Sequence, residues 1–292
     1  MIKATKINDI VCKPIKIPKI DPNTIKGKDI LYSNLYPNIF CVGSSGSGKT
    51  SLLLTFIKQC IDKNTKVVFF VSTFYNDDSY RIICDYLEKK GIAYEGFEEI
   101  GNYIINFTKE NADLLKASIE AEKKQKLDDE KYGKCEEGEK QYHTMDEVIR
   151  EVVFTDECIK VRAKKPKLLT PKYLFVFDDI SQELRKPIIK YFMKHRRHYK
   201  VCNWISSQNV LDLDPHARNN VNISLLFGSI NTGSEDSGRD GHLLQYYNTA
   251  NLWVPYSKFE KLYKEATSEP FHFLYINKDR REFRKDFDIL LE

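Results

Sequence analysis

The stretch Asn38-Ile-Phe-Cys-Val-Gly43-Ser-Ser-Gly-Ser-Gly-Lys49-Thr50-Ser-Leu-Leu-Leu-Thr-Phe-Ile-Lys-Gln-Cys60-Ile61 decides how this chain folds. Gly43, Gly48, Lys49 and Thr50 fit the pattern G-x-x-x-x-G-K-[ST]. The apolar run Ile39 to Val42 predicts a short buried strand. After the glycine-rich turn, Leu53, Phe56, Ile57, Cys60 and Ile61 fall on one helical stripe. Strand, turn and helix are the setting in which such a pattern binds phosphate. Gly43, Gly46 and Gly48 let backbone N–H groups converge on phosphate oxygens without Cβ clashes, and the helix N-terminus adds a favourable dipole. The candidate cradle runs through Gly43, Ser44, Ser45, Gly46, Ser47 and Gly48 to Lys49, Thr50 and Ser51. Lys49 supplies a point charge for the β- and γ-phosphates, and the Thr50 hydroxyl can ligate Mg²⁺. The predicted ligand is a nucleoside triphosphate with Mg²⁺.

A second apolar run, Tyr173-Leu-Phe-Val-Phe-Asp178-Asp179, ends in an acidic pair. A buried strand of this kind delivers carboxylates to the carboxyl edge of a parallel sheet, where ligands bind. Asp178 is the expected metal-side acid and Asp179 the group that polarises an attacking water. Hydrolysis needs both halves, so the pair gains weight beside the glycine-lysine loop. Val201-Cys-Asn-Trp-Ile-Ser-Ser207-Gln208 predicts another strand with a polar carboxyl end. If it lies between the other two, Gln208 faces the γ-phosphate from the side and can sense it or orient water.

Lys66 to Val71 reads as a further buried strand, and Asp77 to Lys90 as a helix stopped at Gly91. Ser181 to Lys194 reads as a helix, with Pro187 tolerable only near its first turn. Asp212 to Asn220 is a turn or short helix, Val221 to Phe227 a strand, and Gly228 to Gly241 a loop of mobile composition. Two helical segments centre on Leu243 and Phe259, and Phe271 to Ile276 is the last strand before a charged tail. Strands alternate with helices, which predicts an α/β fold with a mainly parallel sheet wrapped by helices. Residues 1 to 36, with prolines at 14, 18 and 22, are expected as an extended basic arm. Residues 37 to 292 form the main domain, and 107 to 172 a charged helical insertion and linker.

The 292 residues carry a net charge of +4, which permits a polyanionic partner without demanding one. The seven cysteines show no C-x-x-C spacing, so a reducing compartment is expected, with neither disulfides nor a zinc site. His195 and His198 have no Cys or acidic companions at ligand spacing. The amino-terminal residues lack the apolar core of a signal peptide, and no stretch reaches membrane-spanning length, so no membrane partner is expected.

With Gly43–Thr50, Tyr173–Asp179, Arg197-His198 and the strand ending at Gln208 in this order, the chain resembles the genome-packaging ATPases of large double-stranded DNA viruses and virophages. These form the poxvirus-type branch of the FtsK–HerA superfamily. The match spans about residues 36 to 230. It implies the RecA-like P-loop (ASCE) fold, and an ATPase that assembles into a homo-oligomeric ring and drives double-stranded DNA into a capsid. Capsid or portal components would be partners, and a virion or the host-cell cytoplasm the setting. Carried over, Lys49 and Thr50 bind phosphate and Mg²⁺, Asp178 is the metal-side acid and Gln208 the sensor. The second acid, often Glu in related motors, is here Asp179. The resemblance also implies an arginine finger supplied in trans, for which Arg218 comes first, Arg197 next and Arg196 after it. Two other readings stay open: a cellular or plasmid translocase of the same superfamily, and a P-loop nucleotide or small-molecule kinase, for which Arg239 is the candidate on a lid.

Overall fold

Continuous apolar runs such as Lys66–Val71 and Tyr173–Asp178 are buried on both faces, and they form the middle of one sheet. A computed structural model describes residues 20–32, 34–112, 168–231 and 241–292 of the chain. Its nine strands are β1 (Asn38–Val42), β2 (Lys66–Val71), β3 (Tyr94–Phe97), β4 (Tyr173–Asp178), β5 (Val201–Ser207), β6 (Ile223–Phe227), β7 (Phe273–Asn277), β8 (Glu282–Lys285) and β9 (Ile289–Leu291). They are ordered β3-β2-β4-β5-β1-β6-β7-β8-β9. From β3 to β6 every pairing is parallel, and from β6 to β9 every pairing is antiparallel. The protein is therefore α/β, with a mostly parallel sheet flanked by helices. One strand, β5, separates the P-loop strand β1 from the acidic strand β4, the additional-strand order expected of the RecA-like class.

The period of two along each strand divides the core. Ile39, Cys41, Val67, Phe69, Leu174, Val176 and Trp204 face one side. The helices Lys49–Cys60 and Asp78–Lys90 cover them. On the other side Phe40, Phe70, Phe175, Phe177 and Ile205 meet the helices Pro187–His195, His242–Ala250 and Tyr256–Ala266. All five positions of the predicted stripe, Leu53, Phe56, Ile57, Cys60 and Ile61, are buried. Each large apolar side chain so buried contributes about 1.5–3 kcal/mol. The Asp78–Lys90 helix begins where the Asp77 carboxylate accepts from Ser79 N at 2.7 Å and ends at Gly91 in the left-handed region.

Four expectations need correction. The described part of the amino-terminal arm, residues 20–32 and 34–36, is not extended throughout: Pro22–Thr24 forms a 3-10 turn and Lys28–Leu31 a single helical turn. Pro22 is compatible with a helical start because its missing N–H has no partner there anyway. Ile25, Ile30, Leu31 and Leu35 are buried, Gly27 lies where a Cβ would meet Cys60 Sγ at 2.3 Å, and Ile20 is exposed. The helix expected over 181–194 is split into a 3-10 turn, Glu183–Arg185, and Pro187–His195, with Pro187 at its first position. The tail holds strands β8 and β9, too short to show an alternation. Strand β3 was missed for the same reason. Residues 1–19, most of the charged insertion (113–167) and 232–240, with Arg239, lie outside the described residues. No helix among the described residues is long and apolar enough to cross a membrane.

Candidate nucleotide site at the carboxyl edge of the sheet

The parallel strands end together, and their register fixes what meets there. Val42 pairs with Ser207 and Asp178 with Ser206, so the Gly43 loop, the acidic pair and Gln208 emerge side by side. Gly43 N donates to Ser207 O at 3.1 Å, tying the loop to β5. A Cβ on Gly43 would lie 2.5 Å from Ser47 Oγ and 2.9 Å from Phe227 Cβ, a close approach only glycine allows. Gly46 and Gly48 have φ of 75° and 100°, and Gly48 opens the Lys49–Cys60 helix. Lys49 Nζ donates to the carbonyls of Gly43 at 2.8 Å and Ser44 at 2.9 Å.

These residues line one cleft of about 760 Å³. Ser45, Gly46, Gly48, Lys49, Thr50, Ser51, Asp178, Asp179 and Gln208 are all in its wall. The two distant segments of the sequence thus share one pocket. Asp178 is 6% exposed. Burial pushes its carboxyl up to about 6, with Asp179 adding in the same direction and the Tyr80 hydrogen bond and Lys49 opposing. Tyr80 OH donates to Asp178 Oδ2 at 2.5 Å. Burial, then the Asp178 charge, hold the Tyr80 phenol well above its ordinary value, so it stays a donor. Asp178 Oδ1 is buried and has no hydrogen-bond partner among the described residues. An orphaned buried carboxylate oxygen in the same cleft lining as Thr50 fits a hard cation with oxygen ligands, as Mg²⁺ requires. Asp179 follows in the left-handed region at φ 53°, which turns its side chain out of the strand direction. It accepts from Gln208 Nε2 at 3.2 Å.

The arginines are elsewhere, and no arginine lines the cleft among the described residues. Arg218, on the short helix Pro215–Asn219, is 5% exposed, and its Nε and Nη1 have no partner among the described residues. A side chain so buried is withdrawn from the surface of its own chain, whereas a finger supplied in trans must be presented to a neighbour. Arg196 is a structural clamp at the amino edge of the sheet. It donates to Tyr36 O at 2.6 Å, Met193 O at 2.9 Å and Asn222 Oδ1. Arg197 is exposed and lines a second cleft at that same edge, so it cannot reach the pocket of its own chain.

The cleft also holds residues that sequence reasoning missed. Thr73, Asp77 and Ser79, with Tyr80 behind them, follow β2, whose carboxyl end lies beside that of β4. The edge rule would have found them once β2 was placed next to the acidic strand. Phe271 and Phe273 enter through β7, which runs antiparallel to β6 and so begins at this edge. No local signal marks them.

No family model matches the sequence, and no curated protein matches it significantly. Several solved structures superpose on the chain. The genome packaging NTPase B204 from Sulfolobus turreted icosahedral virus 2, in complex with AMP, has a TM-score of 0.46 at 13% identity, covering 86% of this chain and 97% of that one. The same protein in complex with ATP-gammaS gives 0.44 at 15% identity, covering 88% and 100%. The cytoplasmic domain of the Thermomonospora curvata type VII secretion ATPase EccC gives 0.38 at 13% identity, covering 82% of this chain and 24% of that one.

Proposed function

We propose that this chain is an ATP-hydrolysing DNA translocase that packages viral double-stranded DNA, working as a homo-oligomeric ring. The observation that carries the chemistry is the convergence of Lys49, Thr50, Asp178, Asp179 and Gln208 on one cleft, with β5 between the P-loop and acidic strands. Backbone N–H groups from Gly43 to Ser51 and the Lys49 ammonium bind the phosphates. Thr50 and Asp178 Oδ1 would hold Mg²⁺, which screens charge on the β- and γ-phosphates. Asp179 takes the proton of the attacking water as its oxygen bonds to the γ-phosphorus and ADP departs. Gln208, tethered to Asp179, orients that water and registers the γ-phosphate.

Support for a ring comes from what the pocket lacks. Its described lining holds one cation, Lys49, while charge developing on a transferring phosphoryl group calls for an arginine. In a head-to-tail ring that sets the amino edge of one subunit against the carboxyl edge of the next, the exposed Arg197 would supply that positive charge. Support for a polyanionic cargo comes from the same edge. Lys194 and Lys200 are exposed and have no carboxylate within ion-pair distance among the described residues. Asp279, in the same cleft, is taken up by Asn34 at 2.8 Å and Asn222 at 3.2 Å. Tyr191, 48% exposed, stacks on His195 with ring centroids 4.2 Å apart, an aromatic surface among cations. The motif order favours a packaging motor over a cellular translocase, which would share this chemistry on other cargo. A kinase reading needs an arginine-bearing lid, whose candidate Arg239 lies outside the described residues, and it gives the Arg197-His198 step and Gln208 no role.

The test is ATP turnover with and without double-stranded DNA. Strong stimulation by DNA, abolished in Lys49→Ala, supports the motor. Phosphate transfer to a nucleoside monophosphate, indifferent to DNA, would establish the kinase instead.

A further inference from the structure

Phe271 bears two costs that nothing in the fold repays. Its ring is 72% exposed, the largest exposure among the large hydrophobic residues described, and its backbone sits in the left-handed region at φ 69°. A bulky residue is rarely found there, and such strain persists only where the surroundings impose it. The surroundings do impose it. Asp286 accepts from Phe273 N at 3.2 Å and pairs with His272 Nδ1 at 2.5 Å, while Asp286 N donates to Phe273 O at 2.9 Å. His272 Nε2 also lies 3.2 Å from Glu269. The turn is therefore braced on both sides of Phe271, and the ring is held in the wall of the nucleotide cleft. A Cβ built on Gly48 would lie 3.8 Å from its Cδ1.

The position within the cleft is what gives the ring a use. Asp178, Asp179 and Gln208 close it on the side of β4 and β5, and Phe271 and Phe273 close it on the side of β6 and β7. A triphosphate lying along the Gly43–Thr50 loop with its γ end toward the acids points its nucleoside the other way. We infer that Phe271 is the stacking platform for the nucleotide base, a purine ring in the case of ATP. This rests on the triphosphate reading of the same cleft. Aromatic stacking is sequence-tolerant and needs no hydrogen-bond partner, which suits a rim built from a ring and the small Ser51 and Thr55 side chains.

The experiment compares ATP with inorganic tripolyphosphate, each titrated calorimetrically into the full chain with Mg²⁺, for wild type, Phe271→Gly and Phe271→Trp. Phe271→Gly is expected to weaken ATP about tenfold and leave tripolyphosphate unchanged. Because glycine accepts the positive φ, the same variant is expected to melt higher than wild type. Phe271→Trp is expected to keep ATP affinity, its emission quenched by ATP and not by tripolyphosphate. Equal ATP affinity in wild type and Phe271→Gly, or equal loss of both ligands, overturns the base platform. Wild type that binds neither ligand removes the phosphate site itself, and the platform with it.

Discussion

The Tyr80 hydroxyl donates to one oxygen of Asp178 at 2.5 Å and leaves the other, Oδ1, buried without a partner among the described residues. The phenol thereby occupies one carboxylate oxygen and leaves the other available to a cation. Tyr80→Phe frees Asp178 to rotate, and outer partners of metal ligands are worth about 10–100-fold in metal affinity. The Mg²⁺ concentration for half-maximal turnover is expected to rise about tenfold in Tyr80→Phe, while metal-free nucleotide binding stays as it was. Mn²⁺ titration followed by electron paramagnetic resonance checks the same shift without turnover.

Asp178 is a site where function opposes stability. Its folded-state carboxyl, at about 6, lies above the ordinary 3.8, so the folded chain holds this proton more tightly than the unfolded one. The ionised form therefore costs stability, in full above pH 6, and the cost fades as pH falls through 6 toward 4. Asp178→Asn is expected to abolish hydrolysis yet raise unfolding stability by about 1–3 kcal/mol at pH 7. Urea melts at pH 7 and pH 4 check it, and the gain must be gone at the lower pH.

Arg218 is buried with two N–H groups unpaired among the described residues, and burial lowers its pKa against the pull of Asp214. An apolar side chain of similar length avoids leaving those donors desolvated. Arg218→Met is expected to keep ATP turnover and to gain about 1 kcal/mol of stability. Lost turnover in a folded Arg218→Met protein would return this residue to the catalytic list.

Arg197 is exposed at the edge opposite its own nucleotide cleft. Arg197→Ala is expected to lose turnover by about a thousandfold while still binding ATP, as loss of an arginine finger does. Mixing it with Lys49→Ala subunits should restore activity, because one subunit then supplies the arginine and the other the intact loop. Mixtures as inactive as their components would rule out action across a subunit boundary.

Lys194 and Lys200 lie beside Arg197 without ion-pair partners among the described residues. Reversing both, Lys194→Glu with Lys200→Glu, is expected to leave DNA-free turnover intact. The slope of log affinity for DNA against log salt should shrink by about two, one for each phosphate that the variant no longer neutralises. An unchanged slope would place the DNA path away from this edge.

Much of the cleft is legible in the sequence, because its chemistry is written in contiguous runs. The loop Gly43–Thr50, the strand ending at Asp178 and the strand ending at Gln208 each carry their own flanking apolar pattern. A buried parallel strand delivers its last residue to one edge whatever surrounds it. The expectations that needed correction depended on something else. Pro22 reads as a helix breaker but begins a 3-10 turn, where its missing N–H has no partner to lose. Pro187, tolerable only in a first turn, opens its own helix and so splits the expected one. The short strands β3, β8 and β9 carry too few residues for an alternation to show.

By itself the sequence determined that an apolar strand, a glycine-lysine turn and an amphipathic helix meet at the carboxyl edge of an α/β sheet. Those elements follow from local spacing and from backbone sterics that glycine alone relieves. Only the tertiary structure decided that Tyr80 sets the Asp178 carboxylate, that Phe271 walls the cleft, and that Arg218 is buried while Arg197 is exposed. Burial and orientation depend on which helix covers which face, and that is a property of segments far apart in the chain.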